Sequence, residues 1–588
     1  MMKRNRIYAK IAGVAMAALA IVGCSDTWND HYEAGLADGA VNSSLWEVIE
    51  GNSQLSNFAR VLKATGYDKS LASSQVFTVF APTNDALTSE QADAIIELYE
   101  QEKANQVAMQ QRTGVTPKER DNRAIKEFVQ NHIALYNHSV AKSGADSVMM
   151  MNGKYLLLTP EKLADSPLLT TNLLTQNGLL FTVGSQVDYQ GNVFEALQLN
   201  SELDSVGNFM AVFNEYEFVP GSSVAGGIED GKTWYLDSVT VLTNDMFQYV
   251  DYINSEDSVF WMVAPTNKVW NQLVDEYIPY FNYDNEVQKR DSLCWVEPRL
   301  AVIQGTTFSQ TRNAKLVGDE YVWNTDSAMS VNAANYSSRR YSWGRNDMKY
   351  YQYDKPFAEG GAYTGAFEIP CSNGKVIVAD QWNIDKTMTF YRERLVEAES
   401  RSNLDEVDET STNPLSYASV ESWSPFYNQV SQHLYTNVVP KNYNSGVTFK
   451  LPGLLSNIGY DIYVVFVPIT AIDSTATDFR PTRFQAALSY HEQDGKQSEF
   501  LFQPDNKTYD EIGRRYVHNF ENDPMIVDSV LVASNYKFPT CSYGLRDSQV
   551  LLQLKTDIRS SERDSYTGAM RIDCILIKPH DETVTMDE

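Results

Sequence analysis

Histidine is the side chain most often used for acid–base and metal chemistry near neutral pH, and this chain of 588 residues holds only seven. They stand at positions 31, 132, 138, 433, 491, 518 and 580. No two are separated by three residues, so no helix presents a pair of zinc ligands on one face. Neither a Gly-x-Ser-x-Gly turn nor a Gly-rich phosphate loop occurs in the sequence. We therefore predict no catalytic residues, no metal site and no cofactor.

Aromatic residues and arginine cluster in the middle of the chain, and such side chains are the usual anchors of binding surfaces. The predicted binding residues are Tyr336, Tyr341, Trp343, Arg345, Tyr350 and Tyr351. The alternative is that they are half-buried strand residues, because tyrosine favours β-strands. A smaller aromatic cluster consists of Tyr277, Tyr280, Phe281 and Tyr283.

Oxygen ligands of the kind that calcium takes occur together at Asp505, Asn506, Asp510 and Glu511. Their spacing matches no calcium-binding loop, so they do not change the prediction that metal is absent. The net charge of the chain is −28. A surface this acidic repels phosphate backbones, which excludes nucleic acid as an expected partner.

The first 23 residues have the pattern of a secretory signal. Four cations and no acid precede an apolar run at positions 11–22 that is too short to span a bilayer comfortably. Residues 21–24 (IVGC) resemble the lipobox of bacterial lipoproteins, whose cysteine becomes the first residue of the mature chain and carries acyl chains. The resemblance implies lipidation at Cys24 and a membrane as partner. The alternative is an ordinary signal peptide that is followed by a cysteine by chance.

A polar tether is predicted at positions 24–43. Asp26 and Asp30 resemble the acidic export signal of surface lipoproteins in Bacteroidota, which implies the outer face of the outer membrane. A generic polar linker is the alternative. Beyond the tether the cysteines are sparse, at 294, 371, 541 and 574. We expect isolated buried thiols, with Cys294 bonded to Cys371 or Cys541 to Cys574 as the open alternatives.

Residues 44–189 have the pattern of one mixed domain. Apolar residues recur at helical spacing from Leu45 to Leu62, and a β-rich run then ends in a Pro-Thr-Asn-Asp cap at positions 82–85. Segments 76–86 (VFTVFAPTNDA), 128–133 (FVQNHI), 149–154 (MMMNGK) and 176–180 (QNGLL) resemble, in order, the landmarks of the fasciclin family. The resemblance implies a mixed sheet with helices. An additional long helix is expected at positions 89–112, and His132 is expected to be structural.

The same course recurs more weakly between positions 190 and 390. Segment 260–270 (FWMVAPTNKVW) repeats the first landmark, and 372–378 (SNGKVIV) repeats the closing hairpin. The Asn-His landmark has no clear counterpart, and its place falls near positions 293–304. We predict a divergent second fasciclin-like domain, because internal duplication fits the length.

The C-terminal third has the pattern of an all-β region. Residues 391–415 are acidic and rich in Ser and Asn, and are predicted to be a linker. Alternating strands follow at sandwich-like spacing over 416–588. The final strand, 571–579, loosely resembles that of jelly-roll modules that bind carbohydrate. The predicted fold class is therefore α+β: two fasciclin-like domains and then an all-β jelly-roll-like sandwich.

Six Asp-Ser-apolar triplets resemble the acceptor motif for general O-glycosylation in Bacteroidota. Their serines are Ser147, Ser205, Ser238, Ser258, Ser327 and Ser529. A simpler explanation is a turn that leads into a strand, and we expect some of the six to be only that.

Together these patterns predict a non-catalytic, lipid-anchored protein on the outer face of the outer membrane. As the fasciclin family implies adhesion and binding without cofactors, we expect a glycan or peptide ligand, or protein partners in a starch-utilisation-type nutrient-uptake complex. The alternatives are a purely structural adhesion or assembly subunit without a small ligand and, less favoured, a glycan-active enzyme.

Overall fold

The structure is a computed structural model, and it describes residues 42–113, 122–140, 144–218, 224–229, 232–237, 240–309, 314–317, 320–323, 327–329, 352–504, 519–545 and 548–580. The chain divides into two compact units, Met1–Gly191 and Asn192–Glu588. Within the described ranges, no helix combines the length and the apolar character needed to cross a bilayer.

The first unit combines helices with one seven-stranded sheet. Its α-helices are Leu45–Gly51 (α1), Ser56–Ala64 (α2), Tyr67–Leu71 (α3) and Ser89–Thr113 (α4), with a π-helix at Ala124–Val129 and 3-10 turns at Ser53–Leu55 and Gln130–His132. Its strands are Phe77–Pro82 (β1), Ile133–Leu135 (β2), Asp146–Met149 (β3), Tyr155–Leu158 (β4), Lys162–Leu163 (β5), Ser166–Thr175 (β6) and Gly178–Val183 (β7). The additional long helix predicted at 89–112 is present as α4.

The sheet runs in the order β2-β1-β7-β6-β5-β4-β3, and β1 and β7 are parallel. Every residue of these two central strands is buried. Val79 of β1 packs into the core beneath the helices, whereas Phe80 belongs to the core on the other face, where its ring stacks on Phe181 with centroids 4.9 Å apart. Burial on both faces explains why β1 and β7 are apolar throughout rather than alternating.

An Asn-Gly turn before β7 joins the helices to the sheet. The Asn177 amide donates to the carbonyl oxygens of Leu71 and Ser73 at 2.9 and 2.7 Å, and its oxygen accepts the Leu45 N–H at 2.8 Å. Gly178 follows with φ of +151°, and a Cβ at this position would lie 1.9 Å from the Phe77 carbonyl oxygen. Only glycine therefore allows β7 to approach β1 this closely.

The first part of the second unit, residues 192–393, has a smaller central sheet. Its α-helices are Val193–Leu199 (α5), Asp204–Ala211 (α6), Phe247–Val250 (α7), Asn267–Tyr277 (α8) and Arg290–Ile303 (α9), with 3-10 turns at Ser201–Leu203, Ile278–Phe281 and Lys386–Met388. Its strands are Asn214–Phe218 (β8), Val224–Glu229 (β9), Lys232–Asp237 (β10), Thr240–Asn244 (β11), Phe260–Pro265 (β12), Thr307–Ser309 (β13), Ala314–Val317 (β14), Glu320–Trp323 (β15), Ser327–Met329 (β16), Gln352–Asp354 (β17), Phe367–Cys371 (β18) and Gly374–Ala379 (β19). The central sheet has the order β13-β12-β19-β18, and the other strands form two-stranded ladders.

This part repeats the hydrogen bonds of the first unit. Strands β12 and β19 are parallel, as β1 and β7 are. The Asn373 amide donates to the carbonyls of Ile253 and Ser255 at 2.9 and 2.8 Å and accepts the Val193 N–H at 2.8 Å. Gly374 has φ of +137°, and a Cβ there would lie 1.8 Å from the Phe260 carbonyl oxygen.

The repeat extends to the turn after the first central strand. In the first unit, the Asn84 side chain accepts the Asn57 N–H at 3.1 Å and donates to the Ser53 carbonyl at 2.9 Å. In the second, Asn267 accepts the Ser205 N–H and donates to the Ser201 carbonyl, both at 2.7 Å. The same side chain thus fastens the same helical turn in both halves.

The residue before β13 differs in type from the residue before β2 and makes a similar hydrogen bond. Thr306 precedes β13 as His132 precedes β2, and its hydroxyl donates to the Ile303 carbonyl at 2.6 Å. The sequence predicted this place near positions 293–304. Helix α9 spans most of those residues, and Thr306 follows its end within two residues of the predicted range.

The C-terminal two-sheet region follows, at residues 394–580. Its strands are Arg394–Glu397 (β20), Leu404–Val407 (β21), Ser416–Ser419 (β22), Leu434–Val438 (β23), Gly446–Lys450 (β24), Gly459–Phe466 (β25), Arg483–His491 (β26), Gln497–Leu501 (β27), Phe520–Glu521 (β28), Asp528–Lys537 (β29), Leu551–Thr556 (β30) and Met570–Pro579 (β31), with 3-10 turns at Tyr427–Gln429, Ser431–His433, Ile469–Ala471 and Ser560–Glu562. One sheet has the order β22-β23-β31-β25-β29 with β20 paired to β31, and the other has the order β21-β24-β30-β26-β27 with β28 paired to β26. Phe466 and Phe484 meet across the sheets with ring centroids 5.0 Å apart.

The predicted linker at 391–415 is different in the structure. Strand β20 pairs with β31 and is buried along its length, and β21 pairs with β24. The acidic composition of this segment suggested a solvated linker, but Glu397 is buried. The two-sheet region therefore begins about twenty residues earlier than the predicted boundary at 416.

Residues 279–286 attach the first part of the second unit to the two-sheet region. The Asn282 side chain donates to Gln493 Oε1 and the Pro539 carbonyl at 2.6 and 3.1 Å, and its carbonyl accepts the Cys541 N–H at 2.7 Å. The Tyr283 hydroxyl, fully buried, donates to the Tyr543 carbonyl at 2.8 Å. The smaller aromatic cluster of the sequence thus lies at an internal interface.

Replacing either turn glycine by alanine tests the repeat. We expect Gly178→Ala to destabilise the first unit and Gly374→Ala the second, each by about 3 kcal/mol or more, because the added Cβ would overlap a strand carbonyl. Hydrogen exchange followed by mass spectrometry localises the loss to one unit. Gly51→Ala is the matched control, since nothing lies within 4 Å of a Cβ at that position. If either variant increased hydrogen exchange equally in both units, the assignment of each glycine to its own unit would be contradicted.

Candidate functional site

Several predicted sites lie outside the described residues. These are Cys24, the binding residues Tyr336, Tyr341, Trp343, Arg345, Tyr350 and Tyr351, the serine Ser238, and the calcium candidates at 505–511. For them the predictions stand as they were made.

His132 is used entirely by the fold. Its ring is buried, Nδ1 lies 2.8 Å from the Phe128 carbonyl oxygen, and Nε2 accepts the Val187 N–H at 3.1 Å. Burial lowers the pKa of His132 to about 4, so the neutral ring is the native form. This geometry agrees with the structural role that the family resemblance implied.

The O-glycosylation candidates differ in exposure. Ser147 in β3 and Ser529 in β29 are exposed on strands. Ser205 and Ser258 are half-buried, and the N–H of Ser205, in α6, donates to the side chain of Asn267, in α8. Ser327 lies in β16, although its side chain is outside the described part. Access for a transferase therefore favours Ser147 and Ser529.

Three neighbouring carboxyl groups with raised pKa values lie in the two-sheet region. Glu397 at the end of β20, Glu399 just after it and Asp573 in β31 form the acidic cluster. Glu397 and Asp573 are buried, and they meet the turn Ser431–His433. The Ser431 N–H donates to both carboxylate oxygens of Asp573 at 3.0 and 3.2 Å.

Glu397 is held by the same turn. One carboxylate oxygen accepts the Ser431 hydroxyl at 2.6 Å and the Gln432 amide at 3.1 Å. The other oxygen, and one oxygen of Glu399, are buried without a hydrogen-bond partner. Gln432 and His433 have positive φ of 49° and 61°, which is strained for residues with side chains. His433 in turn stacks on Tyr427 with ring centroids 3.6 Å apart.

Burial determines the protonation of the acidic cluster. It raises the pKa of Asp573 to about 8 against the opposing hydrogen bond from Ser431, and the neighbouring Glu397 and Glu399 charges add to the increase. Burial and the Glu397 charge raise the pKa of Glu399 to about 7. Burial also raises the pKa of Glu397. At neutral pH the cluster therefore retains protons that isolated carboxyls would release.

Carboxylate and amide oxygens are also the ligands of hard cations. In the part of the chain that the structure describes, no group of three or more His, Cys, Asp or Glu residues is arranged to hold a metal ion. The four cysteines of this part, Cys294, Cys371, Cys541 and Cys574, are free thiols. Burial raises the pKa of Cys541 to about 12, so this thiol is not a ready nucleophile.

Sequence reasoning missed the acidic cluster because it assigned Glu397 and Glu399 to a linker. One signal was available: Asp573 is a lone acid inside an apolar final strand. A charged residue at a core position needs a partner, which here comes from the Ser431–His433 turn.

Comparison with known proteins identifies one family in the chain. Residues 53–185 match the family described as Fasciclin domain. The first unit therefore contains a fasciclin domain. Comparison with curated proteins finds no match.

Solved structures give matches of low similarity. One is a Clostridium thermocellum xylanase 10B fragment of CBM22-1 and GH10 modules, with a TM-score of 0.20 and 11% identity over 33% of this chain, which spans 30% of that chain. Another is a FAS1 domain pair from the insect cell adhesion molecule Fasciclin I, with a TM-score of 0.17 and 11% identity, covering 58% of this chain and 99% of that chain. A third is a family 22 carbohydrate binding module of the same xylanase, with a TM-score of 0.19 and 12% identity, covering 32% and 96%. Scores at this level carry no argument about this chain.

The acidic cluster predicts an unusual pH dependence. A carboxyl whose pKa is raised by folding stabilises the native state below its unfolded pKa, and this stability is lost as pH rises through the folded value. We therefore expect the unfolding midpoint of the second unit to fall by several degrees as the pH rises from about 4, the unfolded value, to about 8, and to level off above pH 8. Calorimetry in EDTA, so that no cation masks the charge, measures it.

Asp573→Asn should flatten that dependence, because the amide carries no charge at any pH. The first unit supplies an internal comparison: His132, with its lowered pKa, stabilises above its unfolded value and loses that stability as pH falls from about 6.5 towards 4. An unchanged pH profile in the Asp573 variant would refute the role given to the cluster. If calcium restores the unfolding midpoint at pH 9, a bound cation balances the negative charge of the acidic cluster.

The serine exposures predict where glycans attach. In protein purified from its native host, peptide mass spectrometry should find hexose-containing masses on Ser147 or Ser529 and none on Ser205 or Ser258. Ser147→Ala and Ser529→Ala should each remove the corresponding mass increment. Modification confined to the half-buried serines would contradict the ranking by exposure.

Proposed function

We propose that this chain is a non-catalytic lipoprotein that binds a glycan or a partner protein at the cell surface. The observation that carries the proposal is the fasciclin domain at residues 53–185. The family resemblance implies adhesion and binding without a cofactor. Lipidation at Cys24 would tether this domain to the outer face of the outer membrane.

The remainder of the chain fits the same proposal. The Asn373-Gly374 turn repeats the contacts of the Asn177-Gly178 turn, which supports a divergent second fasciclin-like domain at 190–390. The packed sheets of the two-sheet region support a jelly-roll-like sandwich of the carbohydrate-binding kind. Such a protein would serve as an accessory subunit of a starch-utilisation-type nutrient-uptake complex.

Catalysis is not the favoured function, because Asp573, Glu397 and His132, whose pKa values are perturbed, bind other groups of the fold. Asp573 and Glu397 bind the Ser431–His433 turn and are closed to solvent, and His132 is bonded through both ring nitrogens. The second candidate is a structural adhesion or assembly subunit. It shares every observation above and differs only in lacking a small ligand.

Isolation from native membranes tests the proposal. Tagged full-length protein should co-purify with an outer-membrane partner at near-equal stoichiometry and should be retarded in gels that contain a neutral polysaccharide. Cys24→Ser is the matched control: without acyl chains, it should leave the membrane fraction while keeping its retardation, because the ligand site is in the folded part.

The outcomes separate the candidates. A partner without polysaccharide retardation favours the structural subunit. Absence of both a partner and retardation contradicts the proposal. A Cys24 variant that remains in the membrane fraction contradicts the anchor.

A further inference from the structure

Among the described residues of the C-terminal region, β27 is the edge strand of one sheet and β29 is the edge strand of the other. Tyr536 of β29 contacts Phe500 and Phe502 at the end of β27, so the two edges lie on the same side. Five aromatic residues from these strands and their neighbours line this side, and we name them the aromatic edge: Tyr490, Phe500, Phe502, Tyr536 and Phe538.

The aromatic edge is a continuous stack from core to surface. Tyr536 is its centre, with ring centroids 5.2 Å from Phe538, 5.4 Å from Phe502 and 5.6 Å from Phe500. Phe538 and Phe502 are buried, whereas Phe500 is 46% exposed. Phe500 packs edge to face on the buried Phe502 ring, with centroids 5.4 Å apart, and this contact holds its ring in place while nearly half of the residue stays exposed.

Polar atoms accompany the exposed ring. The Tyr490 and Tyr536 rings pack edge to face with centroids 6.2 Å apart, and Glu492 lies close enough to interact with Tyr536. Burial, followed by the neighbouring Tyr490, raises the pKa of Tyr536, so the Tyr536 hydroxyl remains neutral and can donate or accept a hydrogen bond. An apolar platform with hydroxyl and carboxylate groups at its rim fits a molecule with an apolar face and a rim of hydroxyls.

The neighbouring charges discriminate between possible occupants. Glu499 is exposed on β27, and the turn at its start carries the exposed ion pair of Lys496 with Asp494. Charges on an edge strand oppose pairing with another strand. Carboxylates at the rim also oppose an anionic polymer, in a chain whose net charge is already −28.

We propose that the aromatic edge binds a neutral glycan, one sugar ring stacking on Phe500 while its hydroxyls meet Tyr490, Tyr536 and Glu492. The proposal rests on the proposed function and gives it a location. It differs from the aromatic cluster at 336–351, which lies outside the described residues.

Affinity electrophoresis of the full chain tests it, with soluble glucan, mannan and xylan as neutral probes and polygalacturonate as the anionic probe. Phe500→Ala should weaken binding to the retarding neutral polysaccharide roughly tenfold or more. Phe500→Tyr, which keeps a flat ring, should restore most of it. Trp423→Ala is the matched control, because Trp423 is 56% exposed in the same region but lies in a different loop. Unfolding midpoints confirm that the variants are folded.

Each other result overturns the proposal in a distinguishable way. Retardation of the wild type that Phe500→Ala leaves unchanged, or that Trp423→Ala abolishes, keeps glycan binding but moves it elsewhere. Retardation by polygalacturonate alone contradicts the neutral class. No retardation by any probe removes both the site and the glycan function. Loss of self-association in Phe500→Ala, measured by light scattering, would assign the edge to a second copy of the chain.

Discussion

The buried amide of the Asn-Gly turn is the interaction on which both halves of the chain depend. Asn177 satisfies two carbonyl oxygens at the end of one helical segment and the first N–H of α1. None of these groups has an intrahelical partner of its own, and leaving them unpaired in the interior would cost about 1–3 kcal/mol each. The glycine that follows then lets the last central strand lie against the first. One dipeptide thus orients the helices and closes the sheet.

The repeat of this turn explains which parts of the fold were predictable. Asn-Gly between apolar runs, and Pro-Thr-Asn after a β-rich run, have fixed conformational meanings, so the landmarks are visible in both halves. The Asn-His landmark is different, because Thr306 meets the same local need with its hydroxyl. A side-chain hydrogen bond to a nearby carbonyl can be made by several residue types, and the sequence alone does not identify which one replaces histidine.

The misplaced linker has another physical cause. Composition predicts solvation of acidic segments, yet β20 buries Glu397 against β31 and the Ser431–His433 turn. The stabilising partners come from residues far along the chain, so no local window contains them. Strands β25 and β26 fall in the region predicted to be all-β, because one face of each must meet the opposite sheet and is therefore apolar. The candidate sites differ in the same way. Asp573 can be recognised locally, as an acid in an apolar strand, whereas the aromatic edge forms only when strands distant in sequence come together.

The contact between residues 279–286 and the two-sheet region gives the first part of the second unit, residues 192–393, a mechanical role. Gln493 lies in the turn between β26 and β27, and its side chain donates to the Tyr283 carbonyl at 2.9 Å while its backbone carbonyl accepts the Asn285 N–H at 3.1 Å. The two strands that leave this turn carry Tyr490 and Phe500. Edge hairpins are otherwise the least constrained elements of a sheet, because they have neighbours on one side only. Because residues 279–286 hold the turn, the Tyr490 and Phe500 rings have less conformational freedom. A pre-organised surface loses less entropy when it binds a ligand. The first part of the second unit therefore supports the aromatic edge without contributing a ring to it.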